Sequence, residues 1–388
     1  MELFIGGDAR LLSGGGGLTA NTSGLYERAP CTVSGKPLTT ERLFPGGLDT
    51  VRRLKDAVGG ENQEIHSGKT GYHHTPKYNN FLVPGQWPSA GIELETIASR
   101  CISSTPPAIT RNLWSNWFHF ERDGSLDGTH GGEYGYELIT EPLPPRVYRD
   151  PRTWIGLENL ISPWLESFDH ADTGLHVHVG LEQFEQFSAI PLNNPATRRC
   201  VGKMMSMLVY YCIVDPAFID RVVLRKNGGY CGTSTNRQLY AGSEDLATGK
   251  LTGYEFIDYA VSKLILVNPS DWHSRMNDAI SGIADTHGII PAPRFCTTVI
   301  SETASHNTEV NTAHSYTIEF RRGKGTIHAL SIHRMVELMT MIVRYAGRCC
   351  RRPGDTVSRE AFYTFVRDNT TSEPLRRFAG QALEGKED

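Results

Sequence analysis

Four short stretches of this 388-residue chain place chemically capable side chains at positions i and i+2. The first is Gly91-Ile92-Glu93-Leu94-Glu95-Thr96. Side chains alternate faces along a strand, so Glu93 and Glu95 share one face while Ile92 and Leu94 share the other. Two carboxylates about 7 Å apart on one face repel unless a cation lies between them. The pattern suits a solvent-exposed sheet face, or a divalent cation site of the oxygen-rich kind that Mg2+ prefers. The second stretch, Glu133-Tyr134-Gly135-Tyr136-Glu137-Leu138-Ile139-Thr140-Glu141, sets Glu137 in the middle of an apolar and aromatic run. A carboxylate there is costly to bury unless it is paired or metal-bound. The third, Gly174-Leu175-His176-Val177-His178-Val179-Gly180, puts His176 and His178 on one face and Leu175, Val177 and Val179 on the other. Such a pair suits a metal or nucleotide ligand without choosing between zinc and magnesium. In the fourth, Tyr316-Thr317-Ile318-Glu319-Phe320-Arg321-Arg322-Gly323, the residues Thr317, Glu319 and Arg321 share a face. The acid and the arginine either pair as a weak surface bridge or divide their work. In the second case Glu319 goes to a metal and Arg321 to a phosphate, which guanidinium recognises bidentately.

Four strands with functional groups on one face predict a single concave sheet face carrying Glu93, Glu95, Glu137, His176, His178, Glu319 and Arg321. These carboxylates and imidazoles suffice for two or three divalent ions, with ATP supplying further oxygens. Arg321 would neutralise charge on a transferring phosphoryl group.

The elements that must position these groups are legible too. Strand-like runs fall at 91–97, 115–122, 134–140, 173–181 and 315–322. Helical patterns fall at 152–168, 197–225, 254–266, 273–285, 327–347, 358–367 and 373–383. Strands interleaved with long helical insertions predict an α+β fold on a curved, mostly antiparallel sheet. They argue against a doubly wound or TIM-barrel fold. The first ninety residues differ: Gly14 to Gly17 is a glycine run, and one short helix is expected over 48–58. The run lacks the Lys-Ser/Thr of a P-loop, and 1–90 reads as an irregular extension. Residues 91–350 then form the catalytic domain, and 351–388 a C-terminal helical extension and tail.

Composition excludes several classes. Lys plus Arg total 39 against 43 Asp plus Glu, a net charge of −4, which argues against binding nucleic acid through a basic surface alone. Glycine is in excess, at 39 residues, with no G-X-Y period. The longest apolar run, Met204 to Val214, falls short of the ~18–20 residues of a membrane span. The N-terminus lacks the basic start and apolar core of a signal peptide. Eight cysteines without a CxxC pair predict reduced thiols. The expectation is a soluble, cytoplasmic chain.

In their order and gap lengths, these motifs, together with Asp123-Gly124-Ser125-Leu126 and the continuation Glu141-Pro142-Leu143, resemble the amidoligase family over roughly 90–350. That family comprises carboxylate–amine ligases with a glutamine-synthetase-like fold. The resemblance implies ATP at the open end of the sheet, with Mg2+ or Mn2+ bridging its phosphates. The γ-phosphoryl group passes to a substrate carboxylate, and an amine then displaces phosphate to leave an amide or isopeptide bond. It further implies that Glu93 and Glu95 serve two different ions. Glu137 joins Glu95, while His176 and Glu319 join Glu93. His178 touches ATP, and Arg321 stabilises the transferring phosphoryl group. A further acid at the first ion falls to Asp123 or Glu133; Asp123 alternatively contacts substrate. Arg225, Lys226 and Arg237, around the loop Asn227 to Gly232, are candidates for the substrate carboxylate and phosphates. The segment Asn307 to Ser315 lacks a clear arginine, so one phosphate contact is unassigned.

Amino acids, peptides and proteins are the substrates expected, with a modified nucleotide as a further candidate acceptor. Three rival readings accompany the ligase. A guanidino-kinase-like phosphotransferase would leave a stable phosphorylated product. A zinc hydrolase would use His176 and His178 with a third ligand and no ATP. A non-catalytic scaffold would need none of this chemistry.

Overall fold

Alternation of apolar and acidic residues builds strand β1, Ala90–Ala98, and the same period builds the other principal strands. In this computed structural model the described residues are 32–33, 36–37, 87–98, 118–121, 126, 135–162, 165–167, 173–190, 195–224, 244–266, 310–312, 314 and 316–385. The helices expected at 48–58 and 273–285 lie outside them. Helices accompany a mostly antiparallel open sheet, so the chain is α+β. It divides into two units: Met1–Phe81, Glu93–Thr173 and Gly325–Ile332 form the first, and Leu82–Ile92, Gly174–Lys324 and His333–Asp388 the second.

In the first unit, β2 (Phe118–Glu121) and β3 (Gly135–Thr140) pair antiparallel, and β3 pairs antiparallel with β1. The short strand β4 (Leu165–Glu166) adds to the end of β1. Leu94 lies opposite Leu138 in register, and both are fully buried. This apolar pair fixes which face of the ladder is inward, because a one-residue slip would turn every side chain over. Ser167 Oγ donates to the Glu95 carbonyl at 2.6 Å and ties the following segment to β1. Helix α1 (Pro145–Tyr148) leads into α2 (Pro151–Ile161), whose N-cap Asp150 accepts from the Arg152 N–H at 3.0 Å. Buried Trp154 donates from its indole to the Tyr148 carbonyl at 2.8 Å. The helical pattern expected over 152–168 stops at Ile161. Pro163 has no N–H to continue the ladder, and 165–166 pairs as strand instead.

In the second unit, β5 (Gly174–Gly180) pairs antiparallel with β8 (Thr317–Lys324), and β8 with β7 (Val310–Asn311). The β5–β8 register shifts between Phe320 and Gly323. At Gly323 an added Cβ would meet the Leu175 carbonyl oxygen at 2.3 Å, so only glycine permits this approach. Helix α3 (Pro195–Leu208) continues into a π-turn at Val209–Ile213, and α4 (Pro216–Val223) begins anew. One helix was expected over 197–225. It breaks because Asp215 precedes a proline, takes an extended conformation and caps α4 through the Ala217 N–H at 2.8 Å. Gly202 lets α3 lie against Phe184, whose ring would stand 2.4 Å from an added Cβ.

Helices α5 (Glu244–Thr248) and α6 (Gly253–Leu266) follow, with β6 (Leu251–Thr252) pairing β9 (Thr356–Val357). Helix α7 (Ala329–Arg351) is amphipathic: Met335, Leu338, Met339, Ile342 and Val343 are buried, while Arg334, Arg344 and Arg348 are half-buried and Arg351 is exposed. Helices α8 (Arg359–Asn369) and α9 (Glu373–Leu383) pack on each other. The turn between them donates to the buried carboxylate of Glu337, from Thr370 Oγ1 and the Thr371 N–H, each at 2.8 Å.

Cys212, Cys349 and Cys350 are thiols outside any disulfide, as expected, but Cys200 is disulfide-bonded, which corrects the expectation of thiols throughout. Burial pushes the Cys349 thiol up to about 12, so it stays protonated and behaves as an apolar group. Among the described residues no helix is long and apolar enough to cross a membrane.

Candidate metal and phosphate sites

In the first unit the register places Glu95 directly opposite Glu137, and Glu93 opposite Ile139, so the three acids share one face. Glu93 and Glu137 each offer an oxygen within 4.8 Å of the other's. Glu95 is buried and Glu137 half-buried. Carboxylates this close suit a hard divalent cation, which replaces mutual repulsion with coordination. The register adds an acid that motif reading passed over: Glu121 on β2 stands opposite Glu137. Glu121, Glu137 and Glu95 therefore form a row across three adjacent strands. Period-two parity within 115–122 holds the signal for Glu121, but only the pairing aligns it with the other two.

In the second unit Glu319 is the hub. It lies opposite His178 on β5 and opposite Asn311 on β7, and it is almost completely buried. Its Oε1 accepts from Arg321 Nη1 at 2.6 Å and lies 3.5 Å from His176 Nδ1 and 4.0 Å from His178 Nε2. Its Oε2 accepts from Asn311 Nδ2 at 2.8 Å and lies 3.2 Å from His314 Nε2. Arg321 and Glu319 thus meet directly, in a pair whose acid is almost completely buried. His314 was absent from the sequence-derived set. Its ring stands edge-on to that of His178, centroids 5.0 Å apart.

The segment carrying His314 is held from α3. Lys203, 1% exposed, donates from Nζ to the Thr312 carbonyl at 2.8 Å and to the His314 carbonyl. Burial, with a smaller contribution from the Arg199 charge, lowers its ammonium to about 7. Arg199 lies over the Tyr316 ring at 4.4 Å and pairs with Glu185. Nearby Glu182 is raised to about 7 by burial first; its backbone hydrogen bond opposes the rise, Glu185 adds to it, and Arg199 opposes it least.

Asp123, Glu133, Arg225, Lys226 and Arg237 lie outside the described residues. No family model matches the chain, and no curated protein matches it.

Proposed function

We propose that the chain is an ATP-dependent carboxylate–amine ligase that forms an amide or isopeptide bond on an amino acid, peptide or protein through an acyl phosphate. The observation that carries this reading is the convergence of Arg321, His176 and His178 on the buried carboxylate of Glu319. A fixed guanidinium beside metal-competent ligands is what phosphoryl transfer requires of a protein: positioned charge, and little covalent chemistry.

Mg2+ or Mn2+, when bound, neutralises the phosphate oxygens of ATP. Within the first unit Glu93, Glu95 and Glu137 fit a hard ion by donor type; within the second, His176 and Glu319 lie close enough to share an ion of their own. Glu319 holds the Arg321 guanidinium, which faces the phosphoryl group in transfer. The substrate carboxylate oxygen attacks the γ-phosphorus, and the bridging oxygen leaves with ADP. The amine nitrogen then attacks the acyl carbon, the carbon–oxygen bond to phosphate breaks, and the amine loses a proton.

Release of ADP and phosphate that depends on both a carboxylate and an amine tests it. A persistent phosphorylated product would instead establish a phosphotransferase, and hydrolysis without ATP a metal hydrolase.

A further inference from the structure

We propose that His178, His314 and Glu319 form a binding site for a borderline divalent transition metal, with Zn2+ the ion its donors suit best. The inference rests on the second unit alone; it shares Glu319 and His178 with the ligase reading but needs no nucleotide. Two imidazoles and one carboxylate make a donor set softer than the carboxylate row of the first unit. Imidazole suits zinc and its neighbours, whereas magnesium takes oxygen.

The spacing fits. Zinc bonds of about 2.0–2.1 Å put tetrahedral ligand atoms roughly 3.3–3.4 Å apart. Here His314 Nε2 lies 3.2 Å from Glu319 Oε2, His178 Nε2 lies 4.0 Å from Glu319 Oε1, and one ligand atom of each residue lies within 4.8 Å of the others. Loading requires closure by about an ångström, within the reach of side-chain rotation. The two rings are inclined at 70°, so their nitrogens approach the carboxylate from different directions.

The surroundings are those of a built site. Asn311 Nδ2 and Arg321 Nη1 each hold one oxygen of Glu319, orienting the carboxylate as partners of metal ligands do. Lys203 fixes the backbone at His314. Glu319 is 2% exposed and His178 16%, but His314 is 45% exposed. The third ligand therefore stands at solvent. If these three are the only protein ligands, the site has the pattern of a reactive zinc centre, where a structural one is closed by four.

The test is a Co2+ titration of the full-length chain after chelation, followed by visible absorption, with Zn2+ and Mg2+ as competitors. The expected result is a saturable band that Zn2+ removes and that excess Mg2+ leaves in place. His314→Ala, at an exposed position, should weaken Co2+ binding at least about tenfold with an unchanged far-UV spectrum. Asn311→Ala, which spares every ligand, should weaken it by about 10–100-fold. Absence of a saturable band, displacement by equimolar Mg2+, or wild-type affinity in His314→Ala would overturn the proposal. Amide formation with Mg2+ alone is measured separately, so failure of one reading is distinguishable from failure of the other.

Discussion

Lys203 on α3 reaches the carbonyl oxygen of His314, 111 residues further along the chain, and so sets the backbone of the residue whose ring meets Glu319. A buried helical ammonium thus positions one edge of the Glu319 group without touching it. Lys203→Met keeps the stem's bulk and removes both donors, leaving the Thr312 and His314 carbonyls unsatisfied at a cost of about 1–3 kcal/mol. The expected outcome is a lowered melting temperature together with weaker Co2+ binding. A loss of stability with metal affinity unchanged would reduce Lys203 to a packing role.

Arg321 is bound to Glu319 at 2.6 Å. If it neutralises a transferring phosphoryl group, Arg321→Ala should lower turnover by about 10³-fold or more while leaving the fold intact. Arg321→Lys should recover little, because a point charge does not reproduce the planar fork. Steady-state kinetics with circular dichroism separates loss of chemistry from loss of structure. Near-wild-type rates in Arg321→Ala would remove it from the site.

Glu95 and Glu137 face each other across β1 and β3. Like charges opposite one another cost roughly 0.2–1 kcal/mol. Glu137→Gln should therefore stabilise the metal-free chain by that amount and abolish the rise in melting temperature that Mg2+ gives the wild type. Thermal unfolding with and without Mg2+ reads both effects. An unchanged response to Mg2+ would place the ion elsewhere.

Glu182 titrates near 7 because burial disfavours its charge. A folded-state value raised from the ordinary 4.5 means that its stabilising contribution is complete below about 4.5 and is lost as pH rises through 7. Glu182→Gln, neutral at every pH, should be more stable than wild type at pH 8, by about 1–3 kcal/mol. It should match wild type near pH 4.5. Melting temperatures across that range check the sign, and a gap that is independent of pH would contradict it.

Much of this was legible because the informative signals were local. Strand β1 was expected at 91–97 and runs Ala90–Ala98; α9 was expected at 373–383 and occupies Glu373–Leu383. The parity that puts Glu93 with Glu95, and Glu319 with Arg321, follows from the pleat alone. What escaped needed contacts distant in sequence. The position of Glu121 falls in line with Glu137 and Glu95 only through the β2–β3 register. His314 follows no periodic pattern, and its approach to Glu319 depends on a lysine of another element. The break between α3 and α4 is written in Asp215-Pro216, but apolar residues at helical spacing on both sides of it masked the stop.

The account turns on a carboxylate activated by phosphorylation. Hydroxylamine traps an acyl phosphate as a hydroxamate, so the chain should be incubated with Mg-ATP, hydroxylamine and a panel of amino acids, peptides and proteins. The account predicts ATP-dependent hydroxamate from at least one acid, with stoichiometric ADP, absent in Arg321→Ala. ATP turnover stimulated by an acid of the panel with no hydroxamate formed, or hydroxamate formed equally well without ATP, would contradict it.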